Sequence, residues 1–317
     1  MHTSLSVFFI AIQHSHAKLL EMFRVQKITS LDLPELAPYR TMRRPLEHER
    51  QGIFVAEGEK VVRRLLESHF EVVSVLLPEK HLEEFRPLLE ARPEKITVYL
   101  ADKKLLESLI GFSMYQGQLA VGKIPPPASL DDILSKSPKP LLLVAVDALT
   151  SAENLGALVR NCVAFGVQAL IVGETSSSPF LRRAVRNSMG TILQLPVVEL
   201  GSRRGELHES LTSKMKLGTR VTRPSETLAQ TLQKLRARGV RCIAAHPHAN
   251  GKTISQADFS GDCCIVFGSE GDGISALVLE ACDEAVAIPM PPTVDSLNVG
   301  AAAAVFLYEV SRQRGHP

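Results

Sequence analysis

Three short segments of the chain carry polar side chains, two of them together with glycines, and each follows an apolar run. They are NLGALVR at residues 154–160, GSEGDGI at 268–274 and IPMPPTVDSLNV at 288–299. Open α/β folds bind ligands outside the carboxyl ends of their strands, so segments that follow strands in this way can form one site. Glycines let the backbone approach a ligand closely. The chemistry open to this set is therefore ligand binding at a sheet edge, with Arg160 either paired or facing the ligand.

Each candidate residue also has a structural explanation. Arg160 interrupts an apolar helical run and could cap a neighbouring carbonyl group. Ser296 and Asn298 flank a predicted helix entrance, where both residue types are frequent N-caps. The glycines of residues 268–273 could serve only a tight turn between a strand and a helix. Only the three segments together favour a site.

Other signatures of nucleotide or metal binding do not fit the chain. Residues 251–253 (GKT) end like a phosphate loop, but His246 stands where that loop needs its leading glycine. The order GxxGxG at residues 268–273 is not that of a dinucleotide fingerprint. His246 and His248 could ligate a metal together with a cysteine at 263–264, yet nothing supplies fixed third and fourth ligands. We therefore expect a site without a metal.

Strands and helices are predicted to alternate from residue 141 onwards. The run LLLVAVD at 141–147 is continuously apolar, which is typical of a strand buried on both faces of a parallel sheet. Repeated βα units of this kind predict an α/β fold with a mostly parallel sheet. Further strands are predicted at 168–172, 240–245, 263–267 and 285–288, and helices at 154–165, 179–189, 227–238, 275–282 and 298–312.

A smaller α/β unit is predicted at residues 51–123, ahead of a domain over 141–317. Residues 124–140 hold five prolines. They are predicted to link the two domains, because proline cannot donate to a sheet or continue a helix. Residues 1–50 are expected to form an N-terminal tail that is ordered in part at best.

Length and composition set limits on the class of protein. A chain of 317 residues is long enough for about two domains. No apolar run approaches the ~20 residues of a spanning helix, and the sequence therefore predicts no membrane partner. Five cysteines without a CxxC pair provide no disulfide framework, which favours a reduced, cytoplasmic compartment. Residues 182–241 hold 13 Lys and Arg against 4 Asp and Glu, and this basic stretch favours a polyanionic partner.

In this order the three segments resemble the SpoU (TrmH-like) family of RNA ribose 2′-O-methyltransferases. The family motifs correspond to NxGxxxR, to a strand ending in GSEGxGI, and to IPM followed by SLNV, and all are complete between residues 147 and 309. Upstream, residues 54–58 and 111–121 resemble the family's small RNA-binding domain, which is similar to ribosomal protein L30e. The family pattern does not account for residues 201–223, which carry six Lys and Arg.

The resemblance implies a fold, a cofactor and a set of partners. The family carries a trefoil knot in a mostly parallel sheet with helices on both faces, and it binds S-adenosylmethionine within the knotted loops. It also implies a homodimer formed through the knotted domain. The residues that match the family's catalytic positions are Arg160, Asn154, Glu270, Ser296 and Asn298. Those that match or adjoin its cofactor-binding positions are Gly268, Ile288, Leu297, Met290 and Gly271.

The expected activity is methyl transfer from S-adenosylmethionine to a ribose 2′-hydroxyl of structured RNA. Because arginine stays protonated, Arg160 is expected to clamp an RNA phosphate and not to act as a simple base. The separate N-terminal domain favours rRNA over tRNA. The alternatives are an RNA-binding protein on a non-catalytic scaffold and, less compatible with the motifs, base methylation. Residues 201–223 are expected either to contact RNA phosphates or to form a linker without a partner.

Overall fold

The computed structural model of the chain describes residues 23–110, 117–201, 226–247 and 252–315. The chain divides into two compact units, Met1–Pro125 and Pro126–Pro317. The predictions for residues 1–22 and 111–116, and for nearly all of residues 201–223, lie outside the described residues. Among the helices within the described ranges, none has both the length and the apolarity that a bilayer crossing requires.

The first unit is built on a mixed five-stranded sheet in the order β1-β4-β3-β5-β2. Strands β1, β4 and β3 are parallel to one another, and β5 runs antiparallel to both β3 and β2. The strands are β1 (Phe23–Lys27), β2 (Ile53–Glu57), β3 (Val72–Pro78), β4 (Ile96–Ala101) and β5 (Leu119–Lys123), and the α-helices are α1 (Ala37–Arg40), α2 (Pro45–Gln51), α3 (Glu59–Glu67), α4 (Leu82–Glu90) and α5 (Lys103–Ile110). Helix α3 buries Val61, Leu65 and Leu66 at helical spacing, as predicted.

The prediction that residues 1–50 form a tail is wrong for residues 23–50. Strand β1 pairs with β4 along its whole length, and Leu36 and Tyr39 are fully buried in the core of the first unit. The sequence FRVQK of β1 gave no strong signal because an edge strand buries only part of its side chains. Helix α2 ends at Gln51 and is capped by Gly52, whose φ of +64° is the left-handed conformation that glycine adopts readily.

The second unit is built on a six-stranded parallel sheet in the order β11-β9-β10-β6-β7-β8. The prediction of an α/β fold with a mostly parallel sheet is therefore confirmed. The strands are β6 (Leu142–Val146), β7 (Ala169–Val172), β8 (Val197–Glu199), β9 (Arg241–Ala245), β10 (Cys263–Phe267) and β11 (Glu284–Val286), and the α-helices are α6 (Leu130–Lys136), α7 (Ala152–Ala164), α8 (Arg182–Asn187), α9 (Leu228–Ala237), α10 (Ala276–Glu280) and α11 (Val299–Gln313).

The two central strands of this sheet, β6 and β10, are buried along their whole length. One apolar cluster joins the sheet to α6, α9 and α10, with Leu143 and Val266 among its strand members. Phe267 of β10 also packs edge-to-face against Phe306 of α11, with ring centroids 5.8 Å apart. The continuous apolar run seen in the sequence thus matches a strand covered on both faces.

The prediction that residues 124–140 are only a linker is wrong in part. Residues 130–136 form α6, whose N-cap Ser129 accepts a hydrogen bond from the backbone of Asp132. Ile133 of this helix belongs to the core of the second unit. The prolines do not prevent the helix because three lie before it and two lie after it, at positions where a helix may begin or stop.

Candidate functional site

The segments after β10 and β11 meet at the carboxyl edge of the parallel sheet, where they line a cavity of about 460 Å³. The ends of β9 and β10 form one part of its wall, and the loop between β11 and α11 forms another. Apolar side chains of Phe267, Val299 and Phe306 line the interior, whereas Glu270 and Ser296 bring polar groups to it. A pocket that combines apolar side chains with polar groups at a sheet edge is a usual form of a small-molecule site in this fold class.

The glycine loop after β10 depends on Gly268. A Cβ atom at this position would lie 2.1 Å from the carbonyl carbon of Gly273 and 2.4 Å from the nitrogen of Ile274. The loop turns back this closely because Ser269 and Gly273 form two backbone hydrogen bonds, with N···O distances of 3.0 and 3.2 Å. Gly273 has a φ of +69°, which favours glycine there as well. The spacing of these two glycines thus sets the shape of the loop.

A chain of side-chain hydrogen bonds joins the three segments. The Asn154 amide nitrogen donates to a carboxylate oxygen of Glu270. The Asn298 amide nitrogen donates to Oδ1 of Asn154 at 2.9 Å. Asn298 also caps α11 by accepting a hydrogen bond from the backbone of Gly300 at 2.9 Å. The N-cap explanation and the site explanation therefore both apply to Asn298.

Close packing of α7 against α8 and α11 fixes the position of these hydrogen-bonded side chains. A Cβ atom on Gly156 would lie 2.5 Å from the carbonyl oxygen of Ala184, so only glycine fits between α7 and α8. On another side of α7, the Asn161 amide donates to the carbonyl oxygen of Gly300 at 2.6 Å. These contacts hold the first and third segments in a constant relation, with Asn154 at the point where they meet.

Asp147 is a structural support of the site that the sequence did not single out. It is buried, with 6% of its surface exposed, and its Oδ2 accepts a hydrogen bond from the backbone of Ser275 at 2.8 Å. Its own nitrogen donates to the carbonyl oxygen of Phe267 at 2.9 Å. Asp147 therefore ties the end of β6 to both ends of the glycine loop. Its place as the first polar residue after an apolar strand was the available signal.

The structure brings together nine of the ten predicted site residues. Seven of them line the cavity, namely Gly268, Glu270, Gly271, Ile288, Met290, Ser296 and Leu297. Asn154 and Asn298 join them through the hydrogen-bond chain at Glu270. Arg160 is the exception, because its side chain lies on the exposed face of α7 and does not line the cavity. The roles of all ten residues remain predictions.

Three of the residues that line the cavity but were not predicted lie at the end of β9. They are Ala245, His246 and Pro247. The sequence drew attention to His246 only as a position that fails a phosphate loop and as a weak metal candidate. Its position directly after a strand of the same parallel sheet was the signal that could have placed it in the site.

The described part of the chain contains no group of three or more His, Cys, Asp or Glu side chains placed to hold a metal ion. The cysteine pair at 263–264 is buried in β10. Burial raises the pKa of the Cys263 thiol to about 11, and it raises that of Cys264 well above the ordinary value. Both shifts have the same main cause, because burial disfavours the charged thiolate.

Comparison with known proteins places the chain in a family. A model of the SpoU rRNA methylase family matches residues 141–222 and 206–308, which include all three segments of the site. The chain belongs to this family. The cavity is therefore interpreted by comparison with members of this family.

Similar proteins span nearly the whole chain. The chain is 29% identical over 299 residues to an uncharacterized tRNA/rRNA methyltransferase of Mycobacterium bovis, covering 92% of this chain and 93% of that protein. It is 32% identical over 266 residues to the 23S rRNA (guanosine-2′-O-)-methyltransferase RlmB of Vibrio vulnificus, covering 81% and 96%. The SpoU methyltransferase AviRb of Streptomyces viridochromogenes, solved with AdoMet, is 25% identical with a TM-score of 0.66, covering 88% of this chain and 98% of that one.

Proposed function

We propose that this protein transfers a methyl group from S-adenosylmethionine to a ribose 2′-hydroxyl in rRNA. The observation that carries the proposal is the hydrogen-bond chain from Glu270 through Asn154 to Asn298, which stands beside the cavity at the carboxyl edge of the sheet. Family membership supports it, as do the relative named as a 23S rRNA 2′-O-methyltransferase and the AdoMet complex of AviRb.

The cavity suits S-adenosylmethionine in size and chemistry. Its volume of about 460 Å³ lies within the range of roughly 300–1,000 Å³ that is usual for ligand pockets. Gly268 and Gly271 would offer backbone groups to the adenosine, while Ile288, Met290 and Leu297 would cover its apolar surfaces. When bound, this cofactor supplies a methyl group on a sulfonium, ready for in-line displacement by an oxygen nucleophile.

The protein's own contribution is to hold two reactants in line. Ser296 and Asn298 would orient the ribose. Asn154, which is hydrogen-bonded to both Glu270 and Asn298, would hold these two side chains in a fixed relation. Arg160 lies outside the cavity, six residues or ~9 Å along α7 from Asn154, and would act on the RNA. A guanidinium remains protonated at neutral pH, so it would bind the phosphate next to the target ribose through bidentate hydrogen bonds.

The proposal extends to the finer architecture that the family resemblance implies. We propose that the loops at the carboxyl edge form a trefoil knot and that two chains form a homodimer through the knotted domain. Val305 and Tyr308 support the second point, since these apolar and aromatic side chains of α11 are 39% and 60% exposed. The first unit would be the L30e-like RNA-binding domain, with residues 51–123 as its main part. Residues 141–317 of the second unit would form the methyltransferase domain.

A methyl-transfer assay tests the proposal. Unmodified 23S rRNA transcripts would be incubated with the protein and with S-adenosylmethionine labelled in its methyl group, with Arg160→Ala as the inactive control. Label in alkali-resistant dinucleotides is expected, because a 2′-O-methyl group blocks cleavage of the adjacent phosphodiester. Label on nucleobases would contradict ribose methylation. RNA binding without any transfer would indicate a non-catalytic RNA-binding protein.

A further inference from the structure

His246 lines the cavity, and the proposed reaction gives it no role. It follows β9 directly, and its backbone nitrogen donates to the carbonyl oxygen of Val286 at 3.0 Å, which extends the pairing of β9 with β11. Strand β10 lies on the other side of β9, and the glycine loop follows β10. His246 therefore stands between the two loops proposed to hold the cofactor, and its half-buried side chain lines the cavity with them.

The charged groups around the cavity are unequally distributed. Glu270, Asp272 and Asp295 line it, whereas no lysine or arginine does so among the described residues. His246 is thus the one side chain of this lining that can carry a positive charge. S-adenosylmethionine brings two cationic groups, the sulfonium and the α-ammonium, and one anionic group, the α-carboxylate. Acidic side chains suit the cations, but the carboxylate needs a hydrogen-bond donor.

We propose that the imidazole of His246 binds the α-carboxylate of the methionyl part of S-adenosylmethionine. The inference rests on the proposed function and adds a residue that positions the cofactor by its amino-acid end. An imidazole has an N–H donor in either neutral tautomer and two donors when protonated, so it can serve the carboxylate on both sides of neutral pH. Fixing this end would help to set the orientation of the cofactor in the cavity.

Two adenosine ligands separate this role from a general effect on the cavity. S-adenosylhomocysteine retains the amino acid, whereas 5′-methylthioadenosine lacks it and keeps the adenosine thioether. Their affinities would be measured by calorimetry on the full-length protein without RNA. His246→Ala should weaken S-adenosylhomocysteine roughly 10- to 100-fold, as expected for a lost charge-assisted hydrogen bond, and change 5′-methylthioadenosine less than twofold. His246→Gln, which retains an uncharged amide NH₂ donor, should fall between wild type and His246→Ala.

The controls keep the inference distinct from the proposed function. His81→Ala, in the first unit, should leave both affinities unchanged. An equal loss for both ligands in His246→Ala would overturn the inference, because His246 would then support the adenosine or the cavity shape. Unchanged affinities would overturn it as well, including the case in which only RNA binding falls. If wild-type protein binds neither ligand, the proposed function itself fails.

Discussion

Replacing Gly268 by alanine should collapse the glycine loop and, with it, cofactor binding. The added methyl group would stand 2.1 Å from the carbonyl carbon of Gly273 and 2.3 Å from its oxygen. Ordinary van der Waals contact begins at 3.4 Å, so the backbone of Gly273 would have to retreat by about 1.3 Å. Backbone cannot rotate away as the end of a flexible side chain can, and the loop as a whole must therefore shift.

The cost can be worked from the contacts that such a shift would break. Overpacking of this kind typically costs ~1–3 kcal/mol. The two hydrogen bonds between Ser269 and Gly273 would be lost or stretched, at about 1 kcal/mol each. We therefore expect the free energy of unfolding to fall by about 3–5 kcal/mol in Gly268→Ala. Because this loop forms one wall of the cavity, affinity for S-adenosylhomocysteine should fall at least tenfold, which is about 1.4 kcal/mol.

Gly271 offers a matched control in the same loop. A Cβ atom there would meet nothing within 4 Å, and its φ is not positive. Gly271→Ala should leave the free energy of unfolding unchanged or raise it by up to ~1 kcal/mol, because alanine has fewer unfolded conformations than glycine. Urea titration and calorimetry on both variants would measure the contrast. Equal stability of the two variants, or wild-type affinity in Gly268→Ala, would refute the assignment of the loop shape to Gly268.

Three further predictions concern the polar chain, the exposed arginine and the core of the first unit. Asn154→Asp keeps the side-chain shape but cannot donate to Glu270, so methyl transfer should fall at least tenfold in single-turnover assays; full activity would exclude the hydrogen-bond chain from the mechanism. Arg160→Lys keeps the charge without the forked donor set, so transfer should fall at least tenfold while cofactor affinity changes less than twofold; a loss of affinity instead would place Arg160 on the cofactor side. Replacing Arg92 by methionine should lower the free energy of unfolding by about 3–5 kcal/mol, because Arg92 is 7% exposed and pairs with Glu94 at 2.6 Å. Burial raises the pKa of Glu94, but hydrogen bonds from Arg92 and the backbone of Val72 outweigh it and leave that pKa below 4.5. Its contribution is therefore present above about pH 4.5 and lost as the pH falls through the lowered value, so the Arg92→Met difference in urea unfolding should shrink from pH 7 to pH 3; a constant difference would contradict the pairing.

The strands and helices of the second unit could be predicted because burial leaves a continuous signal. Strands β6 and β10 are apolar throughout, and each is covered on both faces. The first unit was harder at its edge. Strand β1 buries Phe23 but exposes Arg24 and Val25, so its pattern does not separate it from a loop. Helix α6 was hidden by its flanking prolines, although Ser129 and Ile133 carry the signals of an N-cap and a buried face.

The site could be predicted as a set of segments, and only partly as a geometry. The order and spacing of the three motifs place Asn154, Glu270 and Asn298 at one sheet edge, and the structure joins them by hydrogen bonds. Sequence spacing does not show that Asp147 would bind the backbone of Ser275, since that contact spans 128 residues. Such long-range contacts depend on strand order, and in this sheet neighbouring strands are often distant in sequence.

The position of Arg160 follows from the helix on which it lies. Asn154 stands in the first turn of α7, where it can reach the loop after β10, whereas Arg160 comes nearly two turns later and is exposed. Gly156 and Asn161 hold the faces of α7 against α8 and α11, so the helix cannot turn Arg160 toward the cavity without breaking both contacts. Under the proposed mechanism, one helix would therefore hold Asn154 in the hydrogen-bond chain beside the cavity and Arg160 on its exposed face. Methyl transfer needs both reactants in line, so the fixed distance between Asn154 and Arg160 along α7 would help to set their relative position. A shift of α7 would therefore displace both residues at once.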